Sequence, residues 1–265
     1  AIIYQKAAQY LIPVVLELGG KSPCFIYGDV DLDLAAKRVV WGKFFNAGQS
    51  CIAPDYILIE KNRKKEFAEK CQKYIHQFFT KDAQKSDSYG RIISDRHFSR
   101  LTSLLIANDI IFGGQTDVKD RFIAPTLVNA TWDSGLMKEE IFGPILPLIE
   151  IENLDDAIKA VNARSKRLAL YVFSKEQEKH QLILQNISSG GVCINDTLIH
   201  ISSLQLPFGG VGASGIGRYH GDKTFEVFSN IKSVMKRYFW LDLPLRYPPY
   251  DGKMGLLRTL LRLLG

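Results

Sequence analysis

Short apolar runs alternate with amphipathic stretches along most of the chain. The apolar, β-branched runs predict buried strands, and apolar positions that recur every three to four residues predict helices. Strands that alternate with helices predict an α/β fold with a largely parallel sheet. The predicted strands cover residues 14–18, 24–27, 56–59, 110–112, 123–128, 145–151, 169–173, 191–195 and 234–239. The predicted helices cover 2–11, a stretch from Asp31 or Asp33 to Phe45, 61–79, 96–107, 155–163, 176–187 and 224–228.

Proline and glycine interrupt this pattern at two informative places. Pro125 divides the strand 123–128, which places that strand near a sheet edge or a bend. The segment 206–221, LPFGGVGASGIGRYHG, contains GxGxxG-like spacing. A dinucleotide fingerprint needs a strand before the glycines and a helix directly after them; here Pro207 precedes them and Tyr219 follows. We therefore favour a glycine-rich loop that closes against a site or another domain.

Composition excludes several classes of protein. The chain has 265 residues, of which 46% are hydrophobic and 23% charged, so it is long enough to bury a large core. The net charge is +6, and the charged residues are spread along the chain. The sequence contains no basic stripe interleaved with aromatic residues, which argues against nucleic-acid binding. The four cysteines form no CxxC pair. Their spacing argues against a zinc site or a disulfide framework and predicts a reducing, cytoplasmic location.

The stretch 45–55, FNAGQSCIAPD, carries the most informative cysteine, Cys51. It lies between a predicted helix and a predicted strand, with Gly48 and Ser50 before it and Pro54 after it. Such a backbone can turn tightly and present the sulfur atom. Cys51 is therefore a candidate nucleophile. A buried structural cysteine is the alternative, because free cysteine is among the most buried residue types.

Four motifs taken together resemble the aldehyde dehydrogenase superfamily. They are LELGGKSP at 16–23, GQSC at 48–51, EEIFGP at 139–144 and PFGGVGASGIGRYHG at 207–221. The stretches CIAPDYILIE, LALYVFS and LRYPP look most like the class 3 and fatty aldehyde branch, and the resemblance covers about residues 16–249. It implies an aldehyde dehydrogenase-like catalytic domain, with remnants of a dinucleotide-binding domain and a C-terminal oligomerisation strand. It also implies NAD or NADP as cofactor, an apolar or aromatic aldehyde as substrate, and a homodimer.

The resemblance assigns the two catalytic roles to Cys51 and Glu17. A thiolate attacks the aldehyde carbon, and collapse of the resulting oxyanion expels hydride to the nicotinamide. A general base must then activate the water that cleaves the thioester, and this is the role of Glu17. The backbone N–H of Cys51 would stabilise the oxyanion. The asparagine that serves as second donor in the family has no match here, because Asn46 lies too close to the nucleophile.

The remaining site residues are also implied by the resemblance. Glu140 is expected to hydrogen-bond the nicotinamide ribose, Phe142 to pack beside that ribose, and Leu18 to contact the cofactor; the neighbouring Glu139 is expected to be solvated. The substrate channel of the class 3 branch corresponds to two residues near the C-terminus, His200 and Phe208. A histidine in a loop is also an ordinary surface residue, and that alternative stays open.

The family pattern is incomplete at the N-terminus, so we expect a fragment. The predicted divisions are 1–15 as the tail of the cofactor-binding domain, 16–206 as the catalytic domain, 207–250 as a return segment with the oligomerisation strand, and 251–265 as an amphipathic tail. We expect the 265 residues alone to oxidise aldehydes poorly or not at all. The alternative is a non-catalytic chain that serves assembly or interaction; a third, weaker option is a cofactor-independent esterase.

The tail GLLRTLLRLLG, residues 255–265, predicts an amphipathic helix with leucines on one arc and Arg258 and Arg262 opposite. Such a helix favours contact with a membrane surface, at the cytoplasmic face for this protein. It is too short to span a bilayer. Capping a substrate funnel or packing on a partner subunit would use the same pattern, and the sequence does not separate these alternatives.

Overall fold

The computed structural model describes residues 1–106, 108–240 and 242–264. The chain divides into two compact units, Ala1–Phe228 and Ser229–Gly265. The finer divisions predicted at residues 15, 206 and 250 remain predictions.

The first unit is built on a seven-stranded sheet with the order β10-β9-β2-β3-β8-β7-β4. All neighbouring strands in it run parallel except β4, which is antiparallel to β7 at one edge. The prediction of an α/β fold with a largely parallel sheet is therefore confirmed. The strands are β1 Leu16–Glu17, β2 Pro23–Ile26, β3 Tyr56–Glu60, β4 Asp109–Phe112, β5 Thr116–Asp117, β6 Phe122–Ile123, β7 Thr126–Ala130, β8 Ile145–Ile151, β9 Arg167–Phe173, β10 Ser189–Ile194 and β11 Gly215–Ile216.

Side chains alternate between the two faces of the sheet along each strand, and buried apolar side chains lie on both faces. Helices therefore cover both faces. On β2, Cys24 and Ile26 belong to one core cluster, whereas Phe25 belongs to the other. The first cluster includes residues of α2, α3 and α4, and the second includes residues of α5 and α6. The helices are α1 Ile2–Ala8, α2 Leu32–Phe44, α3 Lys61–Phe79, α4 Asp95–Ile106, α5 Leu154–Asn162, α6 Gln177–Asn186, α7 Gly221–Val227 and α8 Met254–Leu264.

Several predicted boundaries differ from the structure. The predicted strand 14–18 is reduced to β1, two residues that pair with β11 rather than with the main sheet. The strand 123–128 breaks at Pro125 into β6 and β7, and β7 lies one strand inside the sheet edge. The first helix ends at Ala8 rather than at Leu11. Ala107, predicted as the last residue of α4, lies outside the described residues.

The second unit contains α8 but not the predicted strand at 234–239. Residues 230–238 have neither helical nor strand structure, so this prediction is wrong for the chain as described. A strand needs a hydrogen-bonding neighbour, and no described segment pairs with these residues. Val234 and Met235 are 81% and 88% exposed. In the described part of the chain, no helix has the length and apolar character needed to cross a membrane.

Candidate active site

Three predicted site residues lie before three neighbouring strands of the sheet. Glu17 precedes β2, Cys51 precedes β3 and Glu140 precedes β8. These strands are adjacent and parallel, so their amino ends meet at one edge. The carboxylates of Glu17 and Glu140 both interact electrostatically with the Cys51 thiol. Folding therefore brings the proposed nucleophile, the proposed base and the proposed ribose ligand together.

The loop before Cys51 is shaped by unusual backbone angles. A short turn, Phe45–Gly48, follows α2 and contains Asn46 and Ala47 in the left-handed region, with φ values of 51° and 52°. Gly48 has a φ of +74°, and a Cβ there would lie 2.3 Å from the carbonyl oxygen of Gly143. Only glycine permits both features. The cysteine loop is thereby packed against the segment that carries the cofactor-binding candidates.

Side chains fix this loop from both sides. The Gln49 amide donates to the carbonyl oxygen of Arg91 at 2.9 Å and accepts from the N–H of Ile93 at 3.0 Å. After the cysteine, the buried Tyr171 hydroxyl donates to the carbonyl oxygen of Ile52. These bonds use groups that would otherwise be unsatisfied, and they hold the thiol in one position.

The Cys51 thiol is half-buried, and its pKa is raised above the ordinary value. Burial is the main cause, and the nearby carboxylates of Glu17 and Glu140 act in the same direction. The backbone N–H groups of Cys51 and Ile52 oppose this shift by hydrogen bonding to the sulfur. In this arrangement the thiol is mostly protonated at neutral pH, and two main-chain donors lie next to the sulfur.

Glu17 is held by a residue that the sequence did not identify as part of the site. β1 pairs with β11, with Glu17 opposite Gly215, and the Tyr219 hydroxyl then donates to Glu17 Oε2 at 2.9 Å. Burial, followed by the contact with Glu17, raises the pKa of Tyr219 to about 12. The phenol therefore keeps its proton and acts as a donor to the carboxylate. The glycine-rich segment closes over the proposed base, as the sequence predicts for a closing loop.

Glu140 approaches the two glycines of LELGG closely. Its Oε2 accepts from the N–H of Gly20 at 3.1 Å, and a Cβ on Gly19 would lie only 2.0 Å from that oxygen. Burial, with a contribution from Asp55, raises the pKa of Glu140 to about 7; the Gly20 N–H and neighbouring lysines oppose the shift. The Glu140 carboxylate is half-buried, and only one of its oxygens is hydrogen-bonded among the described residues. The other oxygen can accept further hydrogen bonds.

Phe142 and Leu18 present exposed apolar surface near Glu140 and Glu17. Phe142 is 37% exposed and Leu18 is 44% exposed. Phe142 has a φ of 51°, and its carbonyl oxygen accepts from His97 Nε2 at 2.7 Å. Glu139, predicted to be solvated, is exposed but forms an ion pair with Arg100 at 2.7 Å. The segment is thus held in place while the Phe142 ring remains accessible.

A buried ion pair that the sequence did not reveal joins the three loops. Asp55, 3% exposed, pairs with Lys21 and accepts the N–H of Ile141 at 2.9 Å. Lys21 also donates to the carbonyl oxygen of Leu136 at 2.7 Å. Lys43 is fully buried and interacts electrostatically with Asp55. Burial lowers the pKa of Lys43 to about 8, and the negative charge of Asp55 opposes that shift. Asp55 follows the cysteine motif directly, and this position was its only sequence signal.

His200 and Phe208 belong to one aromatic group beside the thiol loop. The His200 ring lies 5.9 Å from the Tyr171 ring and 6.4 Å from Phe208. Both its nitrogens are buried and have no hydrogen-bond partner among the described residues, and burial lowers its pKa. His200 is therefore not an ordinary surface histidine. Cys51 packs against the core cluster that contains Phe208 and Tyr171.

Asn46 is engaged in its own turn. Its side-chain amide is exposed and donates to the carbonyl oxygen of Gln49 at 3.1 Å. All four cysteines are free thiols.

A sequence model of the aldehyde dehydrogenase family matches residues 1–234. The chain is 48% identical over 256 residues to "Aldehyde dehydrogenase, dimeric NADP-preferring" of Mus musculus, covering 96% of this chain and 56% of that protein. It is 47% identical over 251 residues to "Aldehyde dehydrogenase family 3 member A2" of Mus musculus, covering 94% of this chain and 52% of that protein.

A solved structure has the same fold over nearly the whole chain. It is titled "Substrate bound state of Staphylococcus Aureus AldH" and matches with a TM-score of 0.96 and 43% identity, covering 98% of this chain and 57% of that one. The chain spans about half the length of the curated relatives it matches. These similarities agree with the class 3 resemblance found in the motifs.

Proposed function

The chain belongs to the aldehyde dehydrogenase family, and from this premise we propose that it takes part in the oxidation of aldehydes to carboxylic acids with NAD⁺ or NADP⁺. The observation that carries the proposal is the meeting of Cys51, Glu17 and Glu140 at the amino ends of β2, β3 and β8. A nucleophile, a base and a cofactor ligand are the groups this reaction needs. This grouping supports the roles that the motifs imply.

Cys51 adds to the aldehyde carbon through its sulfur and forms a thiohemiacetal. The N–H groups of Cys51 and Ile52, which lie beside the sulfur, would donate to the developing oxyanion. A nicotinamide cofactor held by Glu140 and Phe142 would supply the acceptor for the hydride lost from this carbon. Glu17 then accepts a proton from the water that attacks the thioester, and the carboxylic acid leaves with regeneration of the thiol. Overall, aldehyde, oxidised cofactor and water give acid, reduced cofactor and a proton.

The residues near Glu140 fit the cofactor that this reaction requires. One carboxylate oxygen of Glu140 has no hydrogen-bond partner among the described residues. A half-buried carboxylate is suited to accept hydrogen bonds from the hydroxyl groups of a ribose. Phe142 and Leu18 offer exposed apolar faces for the sugar and the ring. NAD and NADP differ at the adenine ribose, and both remain in the proposal; the Mus musculus relative is named as NADP-preferring.

We propose an apolar or aromatic aldehyde as the substrate, with His200 and Phe208 lining its channel. Support comes from the aromatic group beside the cysteine loop, where both ring nitrogens of His200 are buried and have no hydrogen-bond partner among the described residues. A neutral histidine between rings provides a largely apolar wall. Substitution of Phe208 by Ala should raise the KM for an aromatic aldehyde more than that for acetaldehyde.

A homodimer and a membrane contact are proposed for the second unit. A relative carries "dimeric" in its name, and the segment around Met235 exposes several apolar side chains that a partner could bury. Sedimentation velocity of the wild type and of Met235→Asp would test the dimer, which predicts a smaller species for the variant. Membrane association through α8 is proposed at the cytoplasmic face, and free cysteines fit a reducing compartment.

The chemistry is tested first without the cofactor. p-Nitrophenyl acetate should acylate Cys51, which intact-mass analysis and peptide mapping detect as a single acetyl group. Cys51→Ala should abolish this labelling, and Cys71→Ala, which alters a buried core thiol, should leave it unchanged. In Glu17→Gln the acyl group should form but accumulate. Equal acetylation of Cys51→Ala and the wild type would contradict the assignment.

Oxidation itself is then measured as the fluorescence of the reduced cofactor, with NAD⁺ and NADP⁺ separately. Turnover that depends on Cys51 supports the dehydrogenase proposal. Acylation without turnover supports a catalytic site that cannot use the cofactor in this chain. If neither acylation nor turnover is observed, the result favours the non-catalytic alternative.

A further inference from the structure

A cavity of about 540 Å³ lies next to Glu140 and away from the Cys51 thiol. It is lined by the turn around Gly20, by residues 137–140 and by residues 163–167, which lead into β9, together with Tyr56, Val161 and Ala213. Cys51, Glu17 and Leu18 are not among its lining residues. A volume of this size has room for a hydrated oxyanion or for a small molecule that carries one.

Arg167 lines this cavity and carries a cationic group that is only partly hydrogen-bonded among the described residues. The residue is only 2% exposed. Its Nη2 donates to the carbonyl oxygens of Val161, Arg164 and Ser165 at 3.2 to 3.4 Å. Its Nη1 is buried and has no hydrogen-bond partner among the described residues. A buried guanidinium nitrogen without an acceptor is costly, so an acceptor supplied by a ligand at this place would stabilise it.

Other groups around Arg167 add positive charge. Lys138 and Lys166 line the cavity, are exposed, and form no ion pair within the described part of the chain. Lys21 is neutralised by Asp55. The hydroxyl of Tyr56, a 2% exposed residue on the wall, also lacks a hydrogen-bond partner among the described residues. Free donors therefore exceed free acceptors.

Two acidic residues also line the cavity, and neither cancels this excess. Glu139 is held by Arg100 at 2.7 Å. Glu140 is bonded to the Gly20 N–H and lies at the rim shared with the proposed cofactor site. An acidic ligand would therefore meet Arg167 and two unpaired lysines, with a single carboxylate at its far side.

We propose that this cavity binds a small phosphate-class oxyanion, either inorganic phosphate or the phosphate group of a small molecule. Arg167 Nη1, Lys138 and Lys166 would donate to its oxygens, and the Tyr56 hydroxyl would complete the site. A phosphate has enough acceptor oxygens for these donors, and a guanidinium group matches its geometry. This proposal does not rest on the catalytic roles of Cys51 and Glu17, because those residues lie outside the cavity.

The test is isothermal titration of the purified chain with sodium phosphate, with sodium chloride matched for ionic strength. Phosphate should bind saturably at one site and raise Tm, whereas chloride should not. In the double variant Lys138→Gln/Lys166→Gln, phosphate affinity should fall at least tenfold. The matched control is Lys37→Gln/Lys65→Gln, which removes the same charge at two exposed lysines outside the cavity, and it should bind as the wild type does.

Arg167→Lys should also weaken binding, and its far-ultraviolet circular dichroism shows whether the 163–167 turn is kept. Equal responses to phosphate and chloride, or unchanged affinity in the cavity double variant, would overturn the proposal. Equal affinity for acetate and phosphate would overturn the phosphate assignment. Glycerol phosphate serves as the comparison for the source: tighter binding than inorganic phosphate supports a phosphorylated small molecule, and weaker binding supports free phosphate.

Discussion

Tyr219 donates a hydrogen bond of 2.9 Å to Glu17 although the two residues lie at opposite ends of the first unit in sequence. The pairing of β1 with β11 brings them together, with Glu17 opposite Gly215. The raised pKa of Tyr219, about 12, keeps the phenol protonated over the working pH range. The position of the proposed base is therefore set by the C-terminal glycine-rich segment as well as by its own strand.

Tyr219→Phe should affect hydrolysis of the acyl group more than its formation. The carboxylate of Glu17 loses a donor, rotates more freely and activates water less efficiently, so deacylation should slow several-fold. Stability should fall by about 1 kcal/mol or less, since the bond is partly exposed. Burst kinetics with p-nitrophenyl acetate separate the two steps, and Tyr10→Phe, at an exposed position, is the control. An equal loss in both phases would argue against an anchoring role.

Gly48→Ala should disrupt the thiol loop. The new Cβ would lie 2.3 Å from the Gly143 carbonyl oxygen, at a φ of +74°. Strain of this kind costs about 2 kcal/mol or more unless the loops separate. We expect a lower Tm and loss of Cys51 acylation, measured by thermal unfolding and mass analysis.

Gly135→Ala is the matched control for Gly48→Ala, because a Cβ there meets nothing within 4 Å. It should leave both Tm and acylation close to the wild type. If Gly48→Ala behaved like Gly135→Ala, the close packing against Gly143 would not matter for the site.

The elements that the sequence predicted well are those with strong periodicity. α3 was predicted at residues 61–79 and is observed there, and β8 matches its predicted range, because their apolar patterns are long and unbroken. The predicted strand at 234–239 fails for a different reason. Its apolar pattern is real, but a strand forms only where a neighbour supplies hydrogen bonds, and composition does not show the neighbour.

The site was only partly predictable from sequence. Cys51 and Glu17 were found through motifs, but Tyr219 and Asp55 were not. Tyr219 reaches Glu17 only through the β1–β11 pairing, and Asp55 joins the candidate site only because folding places Lys21 and Ile141 around it. The ordinary rule for α/β folds places ligands at the carboxyl ends of parallel strands. Here the candidate residues lie at the amino ends, so this rule alone would point to the opposite edge of the sheet.

Alkylation of Cys51 by iodoacetamide should rise with pH across and above the ordinary pKa of a thiol. Burial, Glu17 and Glu140 all raise the pKa of this thiol, and only the thiolate reacts. Removing one negative charge in Glu140→Gln should lower that pKa and speed alkylation at pH 8 by roughly threefold. Glu150→Gln, a change at an exposed surface acid outside the site, should have no effect. Stopped-time mass analysis of Cys51 gives the rates.

A slower reaction in Glu140→Gln than in the wild type would contradict this electrostatic account. The same measurement compares Cys51 with Cys24 and Cys71, whose burial raises their pKa further. Cys51 should react first in the folded protein. Uniform, slow labelling of all four thiols would favour the non-catalytic alternative.

The amphipathic helix α8 should bind anionic vesicles through its leucine face. Leu256, Leu261 and Leu263 are exposed in the second unit, and Arg258 and Arg262 lie on the opposite arc; the side chain of Leu264 lies outside the described residues. Leu260→Glu places a charge at the centre of the apolar face and should abolish most co-sedimentation with phosphatidylserine vesicles. Thr259→Glu adds the same charge away from that centre and should reduce binding only modestly. Equal vesicle binding with and without the residues after Asp251 would exclude the membrane role. It would favour packing of α8 on a partner subunit. Sedimentation velocity would then detect a smaller particle for the truncated chain.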